Sequence, residues 1–169
     1  PVQPRVMFDD IIIRVNTQSG SALAASDTFY ASAWTLTFTR PHVYAHVTNG
    51  SQAVTEGVAD GKPSWTLALT EDRYVDVSRI TECRTKVPKK VDITMTGPIA
   101  NGAYAYKIFL ELPQLLYENA NYPMTSAGKI IPDLTLRGQR AAVAPAGMPT
   151  LVLPARMTLT NLQSVNALT

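Results

Sequence analysis

The chain has 169 residues, enough for one domain with its own hydrophobic core, and its 46% hydrophobic content excludes a disordered protein. Its 15 basic and 13 acidic residues give a net charge of +2, without the basic tract that would indicate a nucleic-acid-binding protein. Charged residues are only 17% of the chain, against about 25% on average, which favours a surface that is partly hidden in subunit contacts. The single cysteine, Cys83, excludes an intrachain disulfide or a cysteine-rich zinc site.

The chain shows no segment typical of secretion or membrane insertion. Its first five residues, PVQPR, lack the basic and apolar run of a signal peptide, and no apolar stretch approaches the roughly 20 residues that span a bilayer. A first residue of proline leaves open removal of an initiator methionine or a truncated chain. We therefore expect a soluble protein with no membrane insertion.

Alternating apolar and β-branched residues predict strands along most of the chain. Residues 5–15 form the first strand, and the run Ile11-Ile12-Ile13 indicates burial on both of its faces. In the second, residues 28–40, bulky residues alternate with threonines, which is typical of a half-buried strand, and residues 64–70 repeat this pattern. Six large side chains of these two strands are expected to share one core: Trp34, Leu36, Phe38, Trp65, Leu67 and Leu69.

Three Asn-Gly or Asp-Gly dipeptides favour hairpins with type I′ turns. They are Asn49-Gly50, Asp60-Gly61 and Asn101-Gly102. The hairpins that they predict span residues 43–58, 54–69 and 91–112, which together indicate an antiparallel meander. Two later strands are predicted at residues 130–140 and 151–160.

One segment has helical spacing. Apolar residues recur at positions 77, 80, 83 and 87, and Pro88 forbids continuation, so we predict a single helix over residues 74–87. Long loops are expected at residues 17–27, 119–128 and 141–149. The predicted fold is therefore mainly β, an antiparallel β-sandwich or small barrel with one flanking α-helix, in a single domain of residues 1–169.

No group of residues has the spacing of a catalytic, cofactor or metal site. His42 and His46 lie in a strand pattern, where residues four apart are about 13 Å from each other, too far to share a metal. Residues 57–63, GVADGKP, have three residues between glycines where a phosphate loop has four, and Pro63 stands where magnesium needs Ser or Thr. We therefore expect no catalytic residue, no cofactor and no metal, and the protein is not expected to be an enzyme.

The remaining charged and thiol groups have structural explanations. The acidic pairs Asp9-Asp10 and Glu71-Asp72 would point to opposite faces of a strand, which indicates solvated charges. Cys83 is expected to be a buried or half-buried apolar residue. A small group of basic residues near the helix end is expected to complement the helix dipole: Arg84, Lys86, Lys89 and Lys90.

The order of these elements carries a family resemblance. A strand FDDIIIRV at residues 8–15 is followed by a loop, AWTLTFTR at 33–40, a short hairpin, SWTLALT at 64–70, one helix, further strands and the ending RMTLTN at 156–161. This pattern resembles the major tail (tail tube) proteins of long-tailed double-stranded DNA bacteriophages. It extends over most of the chain as a pattern of strands and turns, without single signature residues.

The resemblance implies a structural virion protein of the phage tail, assembled in the host cytoplasm. Subunits of that family form hexameric rings, whose inner strands join into one β-barrel and which stack into a tube through loops or terminal arms. The lumen holds the tape-measure protein and conducts DNA during ejection; it is often acidic, whereas this chain carries +2. We expect the loops 17–27 and 141–149 to make contacts between subunits or rings.

Other functions stay open at this point. A β-sandwich binding module, such as a virion decoration or carbohydrate-binding domain, would need a cluster of exposed aromatic residues. Four tyrosines could supply one: Tyr104, Tyr106, Tyr117 and Tyr122. A capsid subunit is close to the tail-tube interpretation. An enzyme on a jelly-roll fold would need a histidine or carboxylate cluster, which the sequence pattern does not indicate.

Overall fold

The computed structural model describes residues 10–43, 58–74, 77–101, 104–122 and 130–160. Within these residues the strands are β1 (Ile11–Thr17), β2 (Ala31–Thr39), β3 (His42–Val43), β4 (Val58–Ala59), β5 (Ser64–Glu71), β6 (Lys89–Asn101), β7 (Tyr104–Asn121), β8 (Asp133–Gly138) and β9 (Arg156–Thr160). The α-helix α1 is Ser78–Thr85, and a 3-10 turn is formed by Ala25–Asp27. The predicted class, mainly antiparallel β with one helix, is confirmed.

Seven strands form one curled antiparallel sheet in the order β1-β6-β7-β8-β5-β2, with β9 also paired to β7. β7 has 18 residues; its first part lies between β6 and β9, and from residue 115 to 121 β8 takes the place of β9. The sheet therefore has two halves joined by β7. The covered half is β1, β6, the first part of β7 and β9; the open half is residues 115–121 of β7, β8, β5 and β2.

The hydrophobic core lies inside the curl and takes side chains from both halves. Val91 and Ile93 come from the covered half, and Leu67 and Leu136 from the open half, all completely buried. Phe29, just before β2, draws the ends of the sheet together, because its backbone N–H donates to the carbonyl of a β1 residue at 2.7 Å. The curl follows from this closure and from the alternation of apolar residues along every strand.

The pairing of β2 with β5 places the six expected core residues on one face, but their burial is graded. Leu67 and Leu69 are buried, whereas Trp34 is half-buried against the core. Phe38 is 49% exposed and contacts Trp65, with ring centroids 4.5 Å apart. The prediction of one shared core is therefore wrong for Phe38, because it lies near the end of an edge strand, where fewer neighbours cover it.

The prediction that both faces of the first strand are buried is also wrong. Ile13 is buried, whereas Ile12 is 48% exposed. β1 is the terminal strand of the sheet, so its side chains alternate between the core and the opposite face. The predicted start of this strand at residue 5 lies outside the described residues.

Long-range pairing decides which predicted hairpins form. β6 and β7 form the hairpin that was predicted over residues 91–112, and its predicted ends, Val91 and Leu112, pair with each other. β3 pairs with β4 as the hairpin over residues 43–58 requires, although its Asn49-Gly50 turn lies outside the described residues. The prediction of a hairpin at Asp60-Gly61 is wrong, because β5 pairs with β2 and β8 instead of β4. The sheet is a meander only from β6 to β8.

The helix is shorter than predicted. It has eight residues, and Lys86 ends it in the left-handed conformation at φ 53°. At the predicted start, the backbone N–H of Tyr74 donates to the Ile130 carbonyl at 3.1 Å, which ties this residue to another segment. Cys83 is half-buried against the core, as expected. In the part of the chain that the structure describes, no helix is long and apolar enough to cross a membrane.

The last strands and loops are close to their predicted places. β8 lies within residues 130–140, and β9 begins only at Arg156, because Leu151 and Val152 make backbone hydrogen bonds to the loop 141–149. β7 continues to Asn121, so the loop predicted from residue 119 starts later, and its residues 123–128 lie outside the described residues.

Candidate assembly surfaces

The open half ends in two strand edges that have no described partner. β2 pairs with β5 on one side, and no described strand lies on its other side. At the opposite end, β6 stops beside Leu115, so residues 116–121 of β7 pair among the described strands with β8 alone. Lys86 reaches this second edge, where its Nζ donates to the Tyr117 carbonyl at 2.8 Å. Such edges present backbone N–H and C=O groups that can pair with another chain.

The outer face of the open half, opposite the core, consists of three rows of mainly small or uncharged side chains, which we call the threonine face. The strand registers define the rows: Thr37, Thr66, Arg137 and Leu116; Thr35, Ala68, Thr135 and Asn119; Ala33, Thr70, Asp133 and Asn121. Its one basic residue, Arg137, lies 3.4 Å from a carboxylate oxygen of Glu118. The Thr70 hydroxyl donates to Asp133 at 2.8 Å. The face is therefore mostly polar and carries few charges, one basic residue and the two carboxylates Glu118 and Asp133.

A row of four charged residues crosses the covered half on the face opposite the core, and we call it the charge row. The registers align Arg14, Asp92, Glu111 and Arg156 on adjacent strands. Arg14 donates two hydrogen bonds to Asp92, at 2.8 and 2.6 Å, and Arg156 donates two to Glu111, at 2.6 and 2.8 Å. Both carboxylates are buried and stand opposite each other, so each needs its own guanidinium to offset the repulsion.

Lys90 lies on the same face as the charge row, two residues before Asp92 along β6, and is completely buried. Its Nζ donates to the Gly20 carbonyl at 2.8 Å and to the Ala146 carbonyl at 3.2 Å. Burial lowers the pKa of Lys90, and the negative charge of Asp27 partly opposes this shift. One ammonium group therefore attaches both expected contact loops, 17–27 and 141–149, to the sheet.

The two loops also touch each other directly. Gly147 has φ +85°, and a Cβ placed on it would lie 2.9 Å from the Cβ of Ala22. Glycine suits this position for two reasons, the left-handed backbone and the close approach of the other loop. A cavity of about 170 Å³ remains between the loops and the charge row, lined by Arg14, Asp92, Glu111 and Met148 among others. The loops thus form one block over the covered half.

The basic residues near the helix, which the sequence pattern predicts to act as one group, have separate positions in the structure. Lys89 and Lys90 are successive strand residues on opposite faces; Lys89 is buried and forms an ion pair with Glu82 of the helix. Arg84 is exposed at the helix end, where the helix-dipole explanation still applies. The sequence could have predicted a separate role for Lys90, because alternation along β6 places Lys90 on the same face as Asp92.

Glu71 corrects the prediction of solvated acidic pairs. It is buried, and Arg79 of the helix donates to it at 3.2 Å, while Asp72 is exposed. Arg79 also lies 5.5 Å above the ring of Phe29. These groups line a pocket of about 610 Å³ beside the start of β2, and neither a histidine nor a cysteine lines it. Burial raises the pKa of the nearby Tyr117 phenol, so this group stays protonated.

The remaining chemical candidates lie apart from one another. His42 has its Nδ1 2.9 Å from the Arg40 carbonyl, and His46 lies outside the described residues. The backbone N–H of Asp60, in the rejected phosphate-loop segment, donates to the Pro41 carbonyl. Among the described residues, no three His, Cys, Asp or Glu side chains are grouped as a metal site would need.

The tyrosines do not form the exposed cluster that a binding module would need. Tyr117 is 1% exposed, in the core. Tyr122 packs edge-on against Tyr74, with ring centroids 5.6 Å apart. Tyr106 is partly exposed on β7, and the side chain of Tyr104 lies outside the described part.

No protein-family model and no curated protein matches this sequence. Solved structures of similar fold exist, and three come from contractile injection particles. A chain of the anti-feeding prophage cap (AFP tube terminating cap) has TM-score 0.57 and 10% identity, with 95% of each chain covered. A chain of the sheath-tube complex of an extracellular contractile injection system, PVC, in its extended state has TM-score 0.55 and 11% identity, with 94% of this chain and 95% of that chain covered.

A chain of the anti-feeding prophage baseplate also matches, with TM-score 0.55 and 11% identity over 96% of this chain and 97% of that one. At these identities the likeness concerns the fold. The protein therefore has the curled, mainly antiparallel sheet with one helix that is found in tail-tube proteins, and the tail-tube fold expected from the sequence is confirmed.

Proposed function

We propose that this protein is the repeating subunit of the tail tube of a phage or phage-like particle. Six copies form a ring, rings stack into a tube, and the lumen holds the tape-measure protein and conducts DNA. The role is structural, and the chain acts as one domain, without catalytic residues, as part of a virion tail that is assembled in the host cytoplasm. The observation that carries the proposal is the open half, a sheet of tail-tube fold with an edge at each end that pairs with no strand among the described residues.

The two edges belong to different strands, so contact between copies is head to tail. In the ring that we propose, β2 of one copy pairs with residues 116–121 of β7 in the next. A heterologous contact of this kind closes into a ring when its rotation allows. Closure also removes every free edge of the open half, which would otherwise invite aggregation. The loops 17–27 and 141–149 remain our candidates for contacts between rings.

Disulfide trapping tests the proposed edge contact. In a Cys83→Ser background, Thr37→Cys on β2 is combined with Asn119→Cys or Asn121→Cys near the other edge. Under mild oxidation the double variants should give a ladder of covalent oligomers that ends at six chains, because each copy joins two neighbours. The single variants should give no ladder, since like residues are not brought together in a head-to-tail contact.

The matched control joins Thr37→Cys to Ile12→Cys, which is exposed on the terminal strand of the other half. It should give no ladder. A ladder in this control with none in the test pairs would show that the ring uses other edges. Protein that stays monomeric at high concentration with its tail partners would exclude the tube.

A decoration, capsid or carbohydrate-binding role is the alternative, and the structure gives it less support. Such a module presents exposed aromatic side chains in a cluster, whereas Tyr117 and Tyr122 are used in packing here. The pocket near Arg79 has its main charged groups paired to each other. Negative-stain microscopy separates the cases, since rings or tubes support only the tail-tube proposal.

A further inference from the structure

We propose that Lys86 is a removable cap on an assembly edge. It occupies the second edge of the open half, residues 116–121 of β7, in the free subunit, and β2 of another copy displaces it when the two strands pair. This inference rests on the proposed tube and adds a step that limits its assembly. The contact that carries it is the hydrogen bond that the Lys86 Nζ donates to the Tyr117 carbonyl at 2.8 Å.

The carbonyl that Lys86 occupies is one that an incoming strand needs. The backbone N–H of Gln139, just after β8, donates to the Gln114 carbonyl at 2.9 Å. Because successive residues of a strand direct their backbone groups to alternate sides, the carbonyl of Tyr117, three residues later, is directed away from β8. β6 ends beside Leu115, so Tyr117 is the first residue on that side of β7 without a described strand partner. Lys86 therefore covers the place where a new strand would begin to pair.

The backbone at Lys86 also favours a role for its side chain. This residue ends the helix in the left-handed conformation, with φ 53° and ψ 41°. Glycine adopts this conformation without strain and is the usual residue at such a helix end, whereas a lysine there is strained. Among the described residues, Thr150 is the one other non-glycine with a positive φ. A strained lysine in a place that suits glycine indicates that the side chain is used.

The helix is attached to the subunit without this hydrogen bond. Arg79 donates to Glu71 at 3.2 Å near the first turn, and Glu82 forms an ion pair with Lys89 near the last one. Cys83 packs against the core. Lys86 can therefore leave the edge while the helix stays in place, which is what a removable cap requires.

The two edges of the open half differ in the way that a cap implies. Lysine on an edge strand is a common device against unwanted pairing. β2, the other edge, has no charged residue in its sequence ASAWTLTFT. Each head-to-tail contact therefore joins a bare edge to a capped one. A backbone N–H of β2 replaces the ammonium group as donor to the Tyr117 carbonyl, and the ammonium group moves into water. Because this exchange costs one charged hydrogen bond at every contact, free copies stay apart until the protein concentration is high enough.

The disulfide ladder provides the test. Lys86→Met is added to the chain that carries Cys83→Ser, Thr37→Cys and Asn119→Cys. The ladder should then appear at a protein concentration about tenfold lower, since the lost hydrogen bond to a charged donor corresponds to about that factor in an equilibrium. Arg84→Met is the matched control, because it removes a positive charge and adds an exposed methionine at the same end of the helix. It should leave the concentration unchanged.

Lys86→Gly separates removal of the cap from loss of stability. Both Lys86 variants lack the donor, but glycine also relieves the backbone strain, so Lys86→Gly should be the more stable of the two in urea denaturation. If the cap controls assembly, both variants should assemble at the same lowered concentration. If assembly follows loss of stability, Lys86→Met should assemble more readily than Lys86→Gly, which would overturn the cap.

The remaining outcomes separate the cap from the tube. A ladder that ends at six chains at an unchanged concentration in both Lys86 variants would overturn the cap and leave the tube intact. Tubes without a ladder would show that other edges pair, which overturns the edge contact and the cap with it. Absence of both ladder and tubes by electron microscopy overturns the proposed function and this inference together.

Discussion

Lys90 connects both loops to the sheet, through the carbonyls of Gly20 and Ala146. Lys90→Met keeps most of the side-chain volume and removes the donor, so both carbonyls lose their partner. We expect the free energy of unfolding to fall by about 1–3 kcal/mol, measured by urea denaturation. Lys62→Met, at an exposed lysine, is the control and should change it by less than about 0.5 kcal/mol. Equal stability of the two variants would contradict the role of Lys90.

The pKa of Lys90 predicts a pH dependence of stability. Burial lowers this pKa in the folded protein below the ordinary value of 10.5. Between the lowered pKa and 10.5 the unfolded chain therefore binds more protons than the folded one, so stability rises with pH in that window. The natural protein should gain free energy of unfolding relative to Lys90→Met as the pH increases towards 10.5. A difference that stays constant or shrinks would show that the group is not desolvated.

Substitution of Gly147 tests the contact between the loops 17–27 and 141–149. Gly147→Ala should lower stability by about 2–4 kcal/mol, partly from the positive φ and partly from the clash with Ala22. Ala22→Gly alone makes room, so the double variant should recover the steric part and keep a loss of about 1 kcal/mol from the backbone. Thermal denaturation of the four proteins measures this cycle. Strictly additive losses would show that the two loops are not in contact.

At the scale of the elements, the charge row attaches β9 to the sheet. Glu111→Gln removes the charge that holds Arg156 and should reduce stability by about 1–3 kcal/mol, less than a fully buried pair because the arginine is partly exposed. Amide hydrogen exchange in β9 should accelerate more than in β6. Glu118→Gln, in an exposed pair with Arg137 at 3.4 Å, is the control and should have an effect below about 0.5 kcal/mol. Equal effects of both variants would exclude a special role for the row.

The elements also show what the sequence can and cannot predict. The alternation of residues alone predicts which side chains of β2 and β5 share a face, because side-chain direction in a strand is a local property. The charge row could not be predicted, since Arg14 and Asp92 are 78 residues apart and meet only through the strand register. For the same reason the turn at Asp60-Gly61 was misleading. Its local preference is real, but β5 gains more by pairing with β2 and β8 in the sheet.

At the scale of the whole molecule, the proposed contact between copies is made by backbone groups and not by charges. At 1 M salt the screening length is about 3 Å, which weakens exposed charge pairs and leaves strand pairing largely unaffected. Tubes should therefore persist from 0.1 to 1 M sodium chloride in sedimentation assays. Their dissociation over this range would indicate an electrostatic interface.

In the tube that we propose, β7 has a mechanical consequence. Its 18 residues begin in the covered half and end at the edge of the open half, without a loop between them. A tensile load applied at the ring wall would therefore pass along one continuous backbone into the outer body of the subunit. Wall and body would stretch, bend and twist together, so the tube would behave as a stiff rod under strain.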